Sequence, residues 1–190
     1  MTFAIKGLHH FAYKCKDPQA TRDFYEKVLG LPLVHTIRAT GIPSTGGDPV
    51  HYFHFFFEMR DGSCLAFFDL GDDMASEPSA NTPPWVNHIA LEVESEEALA
   101  EGARRLREHG VEVVGPLDHG FIRSVYFFDP NGIRMEFTRK VAPDEQAQVY
   151  AREDQEVQYA NWLAQRHRAA EFARTWSLAQ RDRKPGAKAP

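Results

Sequence analysis

Hydrophobic and polar positions along this chain fall into two rounds of one pattern. In each round a short alternating strand runs into a capped helix, and three further strands follow. Residues 7–15 alternate and meet Asp17-Pro18, an N-cap with proline at the first helical position. Ala20, Phe24, Val28 and Leu29 then recur at helical spacing up to a stop at Gly30. Residues 31–37 read as a second strand and 39–49 as a Gly/Pro/Ser/Thr loop. The aromatic stretch 51–59 (HYFHFFFEM) reads as a third strand, turning at Arg60-Asp61-Gly62-Ser63 and pairing back over 64–70. After an acidic connector, 71–85, the order returns. A strand over 86–94 leads to a helix from Ser95 to Gly110. Strands over 111–115, 121–128 and 133–139 follow, the last two joined at Asp129-Pro130-Asn131-Gly132.

The two rounds are copies. His10 and His88 lie 78 residues apart, as do Asp17 and Ser95, while the turns Asp61-Gly62 and Asn131-Gly132 are offset by 70. An internal repeat of this kind decides the architecture. The fold class is α+β, with two βαβββ modules (1–75 and 76–142) whose sheets form an open, cavity-enclosing pair. Residues 144–177 contain neither glycine nor proline and carry Val157, Tyr159, Ala160, Trp162 and Leu163 at helical spacing. They predict a helical extension over 143–180 that packs on the body or on a second copy, so a homodimer is expected. Residues 181–190 are basic, contain proline and glycine, and read as a disordered tail.

Composition narrows the class. In 190 residues, 43% are hydrophobic and the formal net charge is −5, which argues against nucleic acid as the main partner. Cys15 and Cys64 make no Cys-x-x-Cys pattern, and no segment suits a bilayer or a leader peptide, so a cytoplasmic protein without a membrane partner is expected.

The chemistry concentrates on three positions. Glu136 stands in an otherwise apolar strand, between Ile133, Met135 and Phe137, and a carboxylate there needs a partner. A divalent metal held with His10 and His88, at equivalent points of the two repeats, supplies one. Two imidazoles and a carboxylate leave about three octahedral positions open.

The segments 10–17 (HFAYKCKD), 24–31 (FYEKVLGL), 87–90 (NHIA) and 126–136 (YFFDPNGIRME) resemble the vicinal oxygen chelate superfamily, which includes glyoxalases, fosfomycin-resistance proteins and extradiol dioxygenases. The resemblance spans roughly residues 7–139. Its four-ligand members carry a further ligand where this chain has Ala66. The set His10, His88 and Glu136 is instead similar to that of single-pair extradiol dioxygenases, which also carry a tyrosine ten residues before the glutamate, here Tyr126. The resemblance therefore implies ring cleavage of a small, catechol-like aromatic by O2, with Fe(II), or alternatively Mn(II), as cofactor.

An acid–base histidine is implied too. The family position falls at Ser63-Cys64, so His54, on the Phe56 face of its strand, and His119, in the loop before Tyr126, are the candidates. Phe56, Phe68 and Ala66 are expected to line the substrate cavity. His9 is expected to point away from the site, and His35, His109 and His167 to lie on the surface. Two alternatives stand beside the dioxygenase: a glyoxalase- or fosfomycin-type lyase or transferase, and a bleomycin-resistance type of binder.

Overall fold

Asp17 accepts the backbone N–H groups of Gln19 and Ala20, and Pro18 sets the first turn, so helix α1 (Pro18–Asp23) starts where its cap dictates. The helix then widens over Phe24–Val28, where the Leu29 N–H reaches back five residues to the Phe24 carbonyl. That wide turn delivers Phe24, Tyr25 and Val28 together into the core, and Gly30, at φ 76°, ends it. The computed structural model describes residues 4–40, 51–77, 82–145 and 155–166.

The first module supplies β1 (His10–Lys14), β2 (Leu33–Thr40), β3 (His51–Glu58) and β4 (Cys64–Asp69), ordered β1-β4-β3-β2. The second supplies β5 (Ile89–Glu92), α2 (Glu96–Glu108), β6 (Val114–Asp118), β7 (Ile122–Phe128) and β8 (Arg134–Lys140), ordered β5-β8-β7-β6. In each sheet the first strand pairs parallel with the last, and the others pair antiparallel. The offsets read from sequence reappear as register: Ala12 faces Ala66 as Ala90 faces Glu136, and Phe56 faces Ala66 as Tyr126 faces Glu136. The fold class is thus two mixed four-stranded sheets with helices, α+β, and no closed barrel.

Several boundaries differ from expectation. The strand expected over 86–94 begins only at Ile89, so His88 sits on the segment leading into it. The strand expected from 111 starts at Val114, because the Val111 N–H closes α2 on the Leu106 carbonyl at 3.0 Å. Strand β2 runs on to Thr40, through positions 39 and 40 of the expected loop. Of the expected extension, residues 143–145 and 155–166 are helical, with Val157, Tyr159, Trp162 and Leu163 exposed. His167 and the expected tail lie outside the described residues, and among those that are described no helix is long and apolar enough to cross a membrane.

One hydrophobic core serves both modules. It joins Phe24, Tyr25 and Val28, Phe55, Phe57, Leu65 and Phe67 of the first sheet, Leu99, Ala103 and Leu106 of α2, and Val125, Phe127, Met135 and Phe137 of the second sheet. Helix α2 approaches its sheet closely at Gly102, where a Cβ would lie 2.9 Å from the Phe137 ring. The helix thus gives up about 1 kcal/mol of intrinsic propensity at that position. Because side chains alternate along a strand, the faces opposite this core are both turned away from it.

Polar contacts lock the modules where the second hairpin meets α1. The Lys16 N–H donates to Asn131 Oδ1 at 2.9 Å, Asn131 Nδ2 donates to Thr21 Oγ1 at 3.2 Å, and the Tyr25 hydroxyl donates to Asp129 Oδ2 at 3.1 Å. Burial pushes the Asp129 carboxyl above its usual range, although the N–H of Ile133 and the Asn131 side chain oppose the shift. Both cysteines are free, and burial raises the Cys15 thiol to about 11. Tyr25 is fully buried, with its ring against Phe57 and Phe67 of the first sheet and its hydroxyl on the second module. We expect Tyr25→Phe to lower stability by about 1–3 kcal/mol, since it strips a donor from a buried carboxylate. Denaturant unfolding should show one transition displaced as a whole. A variant as stable as wild type would remove this contact from the inter-module lock.

Candidate functional site

Glu136 is the most deeply buried charged residue on the outward face of the second sheet, at 2% exposure. Its Oε2 lies 3.1 Å from His88 Nε2, and its Oε1 accepts from the Tyr126 hydroxyl at 3.2 Å. His88 Nδ1 lies 2.9 Å from the Val86 carbonyl. A carbonyl only accepts, so Nδ1 carries the proton, and Nε2 turns to the carboxylate either as a bare lone pair or as the second N–H of an imidazolium. Two lone pairs at 3.1 Å repel. A cation, proton or metal ion, therefore belongs between these atoms. An imidazole fixed by a backbone carbonyl beside a buried carboxylate is also the donor arrangement that suits a divalent ion.

Tyr126 extends the group. Its hydroxyl donates to Glu136, and its oxygen lies 2.8 Å from Nε2 of His119, which is exposed. Burial, and then the charge of Glu136, push the phenol above its usual value, so it stays protonated. A hydrogen-bonded chain thus leads from the solvent-exposed His119 through Tyr126 to Glu136 and on to His88. His119 is one of the two acid–base candidates read from sequence; its Tyr126 partner was not legible there, because loop residues carry no periodicity.

The outward face of the first sheet gathers the other candidates. His54, 6% exposed, stacks on Phe68 with ring centroids 3.7 Å apart and lies 4.2 Å from Phe56. Its Nδ1 is 2.9 Å from the Phe67 carbonyl, which fixes the proton there. Burial pulls its pKa below the usual histidine value, against the opposing hydrogen bond to that carbonyl, so at neutral pH its Nε2 is a free base. His10 meets the same cluster, with its ring 5.3 Å from Phe56 and 6.1 Å from His54. Ala66 is buried beneath it, opposite Phe56. His9 does not point away as expected: its Nδ1 lies 2.7 Å from His10 Nδ1, since β1 begins only at His10 and strand alternation does not reach His9. His35 and His109 are exposed, as read from sequence.

The structure therefore brings His88, Glu136, Tyr126 and His119 together, and separately His10, His54, Phe56 and Phe68. Among the described residues no group of three His, Cys, Asp or Glu side chains is placed to hold a metal ion within the chain. One further residue sits at the first group: Arg134, two positions before Glu136 and on the same face, with its guanidinium 4.4 Å from the centre of the Tyr126 ring. Its place in an apolar strand was the signal for it, masked by the stronger one of Glu136.

Duplicated βαβββ modules of this topology define a fold class, and the comparisons with known proteins agree. Residues 7–137 match the model of the Glyoxalase/Bleomycin resistance protein/Dioxygenase superfamily, and the chain belongs to that family. MhqA of Bacillus subtilis (strain 168), described by name as a ring-cleaving dioxygenase, is 28% identical over 137 residues, which are 70% of this chain but 40% of MhqA's own length. The lactoylglutathione lyase of Neisseria meningitidis serogroup A is 27% identical over 148 residues, covering 73% of this chain and 94% of that enzyme. The solved structure of the fosfomycin resistance protein FosX from Listeria monocytogenes, complexed with Mn(II) and sulfate, shares the fold. Its TM-score is 0.52 at 24% identity, over 76% of this chain and 99% of that one.

The facing acceptors of His88 and Glu136 generate a direct expectation. Adding Mn(II) to chelator-treated protein should raise its melting temperature, because an ion that binds only the folded state stabilises it. Glu136→Gln, whose amide N–H can satisfy His88 Nε2 without any cation, should fold normally and lose that rise. An equal rise in both proteins would place the bound metal elsewhere.

Proposed function

We propose that this chain is a divalent-metal-dependent, extradiol-type dioxygenase that opens a small catechol-like ring with O2. Fe(II) is the metal of this reading and Mn(II) its alternative. The observation that carries it is the buried His88–Glu136 pair with Tyr126 on the free side of the carboxylate. His88, Glu136 and His10 hold the ion in this reading, and it supplies the Lewis acidity and redox chemistry that let a vicinal diol react with O2. Ala66, which takes the place of Glu136 in the first module, offers no fourth ligand.

The chain's own residues then have distinct tasks. Tyr126, kept protonated beside Glu136, turns its one hydroxyl hydrogen from that carboxylate to an oxygen of the substrate, and His119 orients it. His54 is neutral, with an unprotonated Nε2 on an aromatic face, and takes the proton of the diol. Phe56 and Phe68 stack the ring and exclude water from it.

The third ligand calls for a second copy. Both candidate faces turn outward from the shared core, and a two-fold homodimer that sets the first-module face of one copy on the second-module face of the other builds two complete sites at once. This reading makes the aromatic substrate, O2 and a like chain the partners.

A lyase reading has one observation in its favour, the 94% coverage of the lactoylglutathione lyase against 40% of MhqA. The deciding experiment is anaerobic Fe(II) loading followed by a catechol panel, read by oxygen uptake and by absorbance of ring-cleaved products. We expect turnover of at least one catechol. Glutathione-dependent turnover with Mn(II), and none with catechols, would replace the dioxygenase by the lyase.

The shared site has its own test. His10→Ala and Glu136→Ala should each be inactive alone, yet after subunit exchange the mixed dimer carries one intact site. An equal mixture should then recover about a quarter of wild-type activity, from half the dimers being mixed with one of two sites intact. No recovery, with exchange verified, would end the shared-site proposal.

A further inference from the structure

A second concave feature lies where the modules meet. Tyr13 of β1, Pro83 and Pro84 of the connector, and Phe128 and Ile133 of the second hairpin wall a cavity of about 420 Å³, into which Arg134 also projects. That volume suits a small organic ligand, and the wall joins apolar surface from Tyr13, Pro83, Pro84, Phe128 and Ile133 with polar groups such as Asn87, Asn131 and Arg134.

Arg134 is the unusual part of that wall. Its Nε is buried and makes no hydrogen bond. The other two arginines of this sheet, Arg123 and Arg139, both reach Glu96, Arg123 with Asp118 besides. Arg134 has no such carboxylate among the described residues, although Glu77 also lines the cavity; its guanidinium lies on the Tyr126 ring instead. A part-buried guanidinium with an unmet donor carries a desolvation cost that a ring face only partly offsets. A planar oxyanion in the cavity would give this guanidinium the counter-charge it lacks, because the guanidinium fork matches a carboxylate with two parallel hydrogen bonds.

We infer that this cavity is a binding site for a small aromatic acid, its carboxylate on Arg134 and its ring between Phe128, Tyr13 and the Pro83-Pro84 wall. Arg134 belongs at once to this wall and to the Tyr126–Glu136 group. Asn87, also in the wall, directly precedes His88 and adds an amide to the polar side.

Binding can be read without turnover. Isothermal titration of the metal-free protein with benzoate should show saturable binding, while benzamide, equal in shape but uncharged, and inorganic phosphate, charged but without a ring, bind at least on the order of 10-fold more weakly. Arg134→Gln should lose a similar factor, and Arg134→Lys should recover part of it, as a charge without the fork. Phe128 is half exposed, so Phe128→Ala should leave the fold intact and still weaken benzoate. Glu136→Gln, which removes the proposed metal site, should bind benzoate as wild type does. Benzamide binding as tightly as benzoate, or Arg134→Gln and Phe128→Ala binding unchanged, would overturn the inference; phosphate binding as tightly as benzoate would reduce the site to a general anion site and overturn it too. Loss of catechol turnover together with intact benzoate binding would count against the dioxygenase reading alone.

Discussion

A carboxylate with almost no contact with water must be answered by hydrogen-bond donors or positive charge, and Glu136 has the Tyr126 hydroxyl on one oxygen and His88 beside the other. Glu136 is held opposite Tyr126 by the antiparallel β7–β8 register and beside Ala90 by the parallel β5–β8 register, so its position is fixed by two independent ladders. His88 is fixed just as firmly by the Val86 carbonyl. Neither group is free to turn away. Without a cation between them, the carboxylate would face a second acceptor at 3.1 Å, at a cost of about 1–3 kcal/mol. A proton or a metal ion between the two atoms removes that cost.

Duplication made two equivalent faces, and divergence has given them different chemistry. At the shared register point one module has Ala66 facing Phe56, the other Glu136 facing Tyr126. The first face became aromatic, with Phe56, Phe68 and a neutral His54 stacked on it; the second became polar, with a hydrogen-bonded chain out to His119. Apolar stacking and charge handling are hard to combine on one patch, since desolvation favours the first and penalises the second. Placing them on separate sheets lets each keep its own environment.

Most of the fold was legible because it was written twice. The offsets of 78 and 70 predicted which residues share a strand register, and the Ala66/Glu136 and Phe56/Tyr126 equivalences follow from them without any contact information. Strand ends were less legible. His88 looked like a strand residue by alternation, yet β5 starts after it, because its side chain is engaged with Val86 two residues back. His9 failed for the same reason. Alternation predicts opposite faces, but it applies only inside a strand, and β1 begins one residue later. The sequence groups His10 with His88 and Glu136, whereas within the chain His10 lies with His54 and Phe56 and only His88 meets Glu136, since periodicity assigns faces within a sheet and says nothing of how two sheets face each other.

That last point turns on the core. Tyr25 threads its ring into the first sheet and its hydroxyl onto the second module, while the Asn131 turn docks under α1, so the two helix-bearing sides are bound into one apolar interior. Once those sides are joined, the opposite sides must diverge. The consequence shows on the short strands β1 and β5, the outer strands of their sheets, where Ala12 and Ala90 occupy equivalent positions two residues beyond His10 and His88 and are both exposed. A methyl group is the smallest side chain that keeps strand geometry, and it lets another surface approach the neighbouring imidazole closely. Large residues at these two points would have shielded the histidines and closed each face for good. Small ones leave the imidazole beside each of them open to an approaching surface.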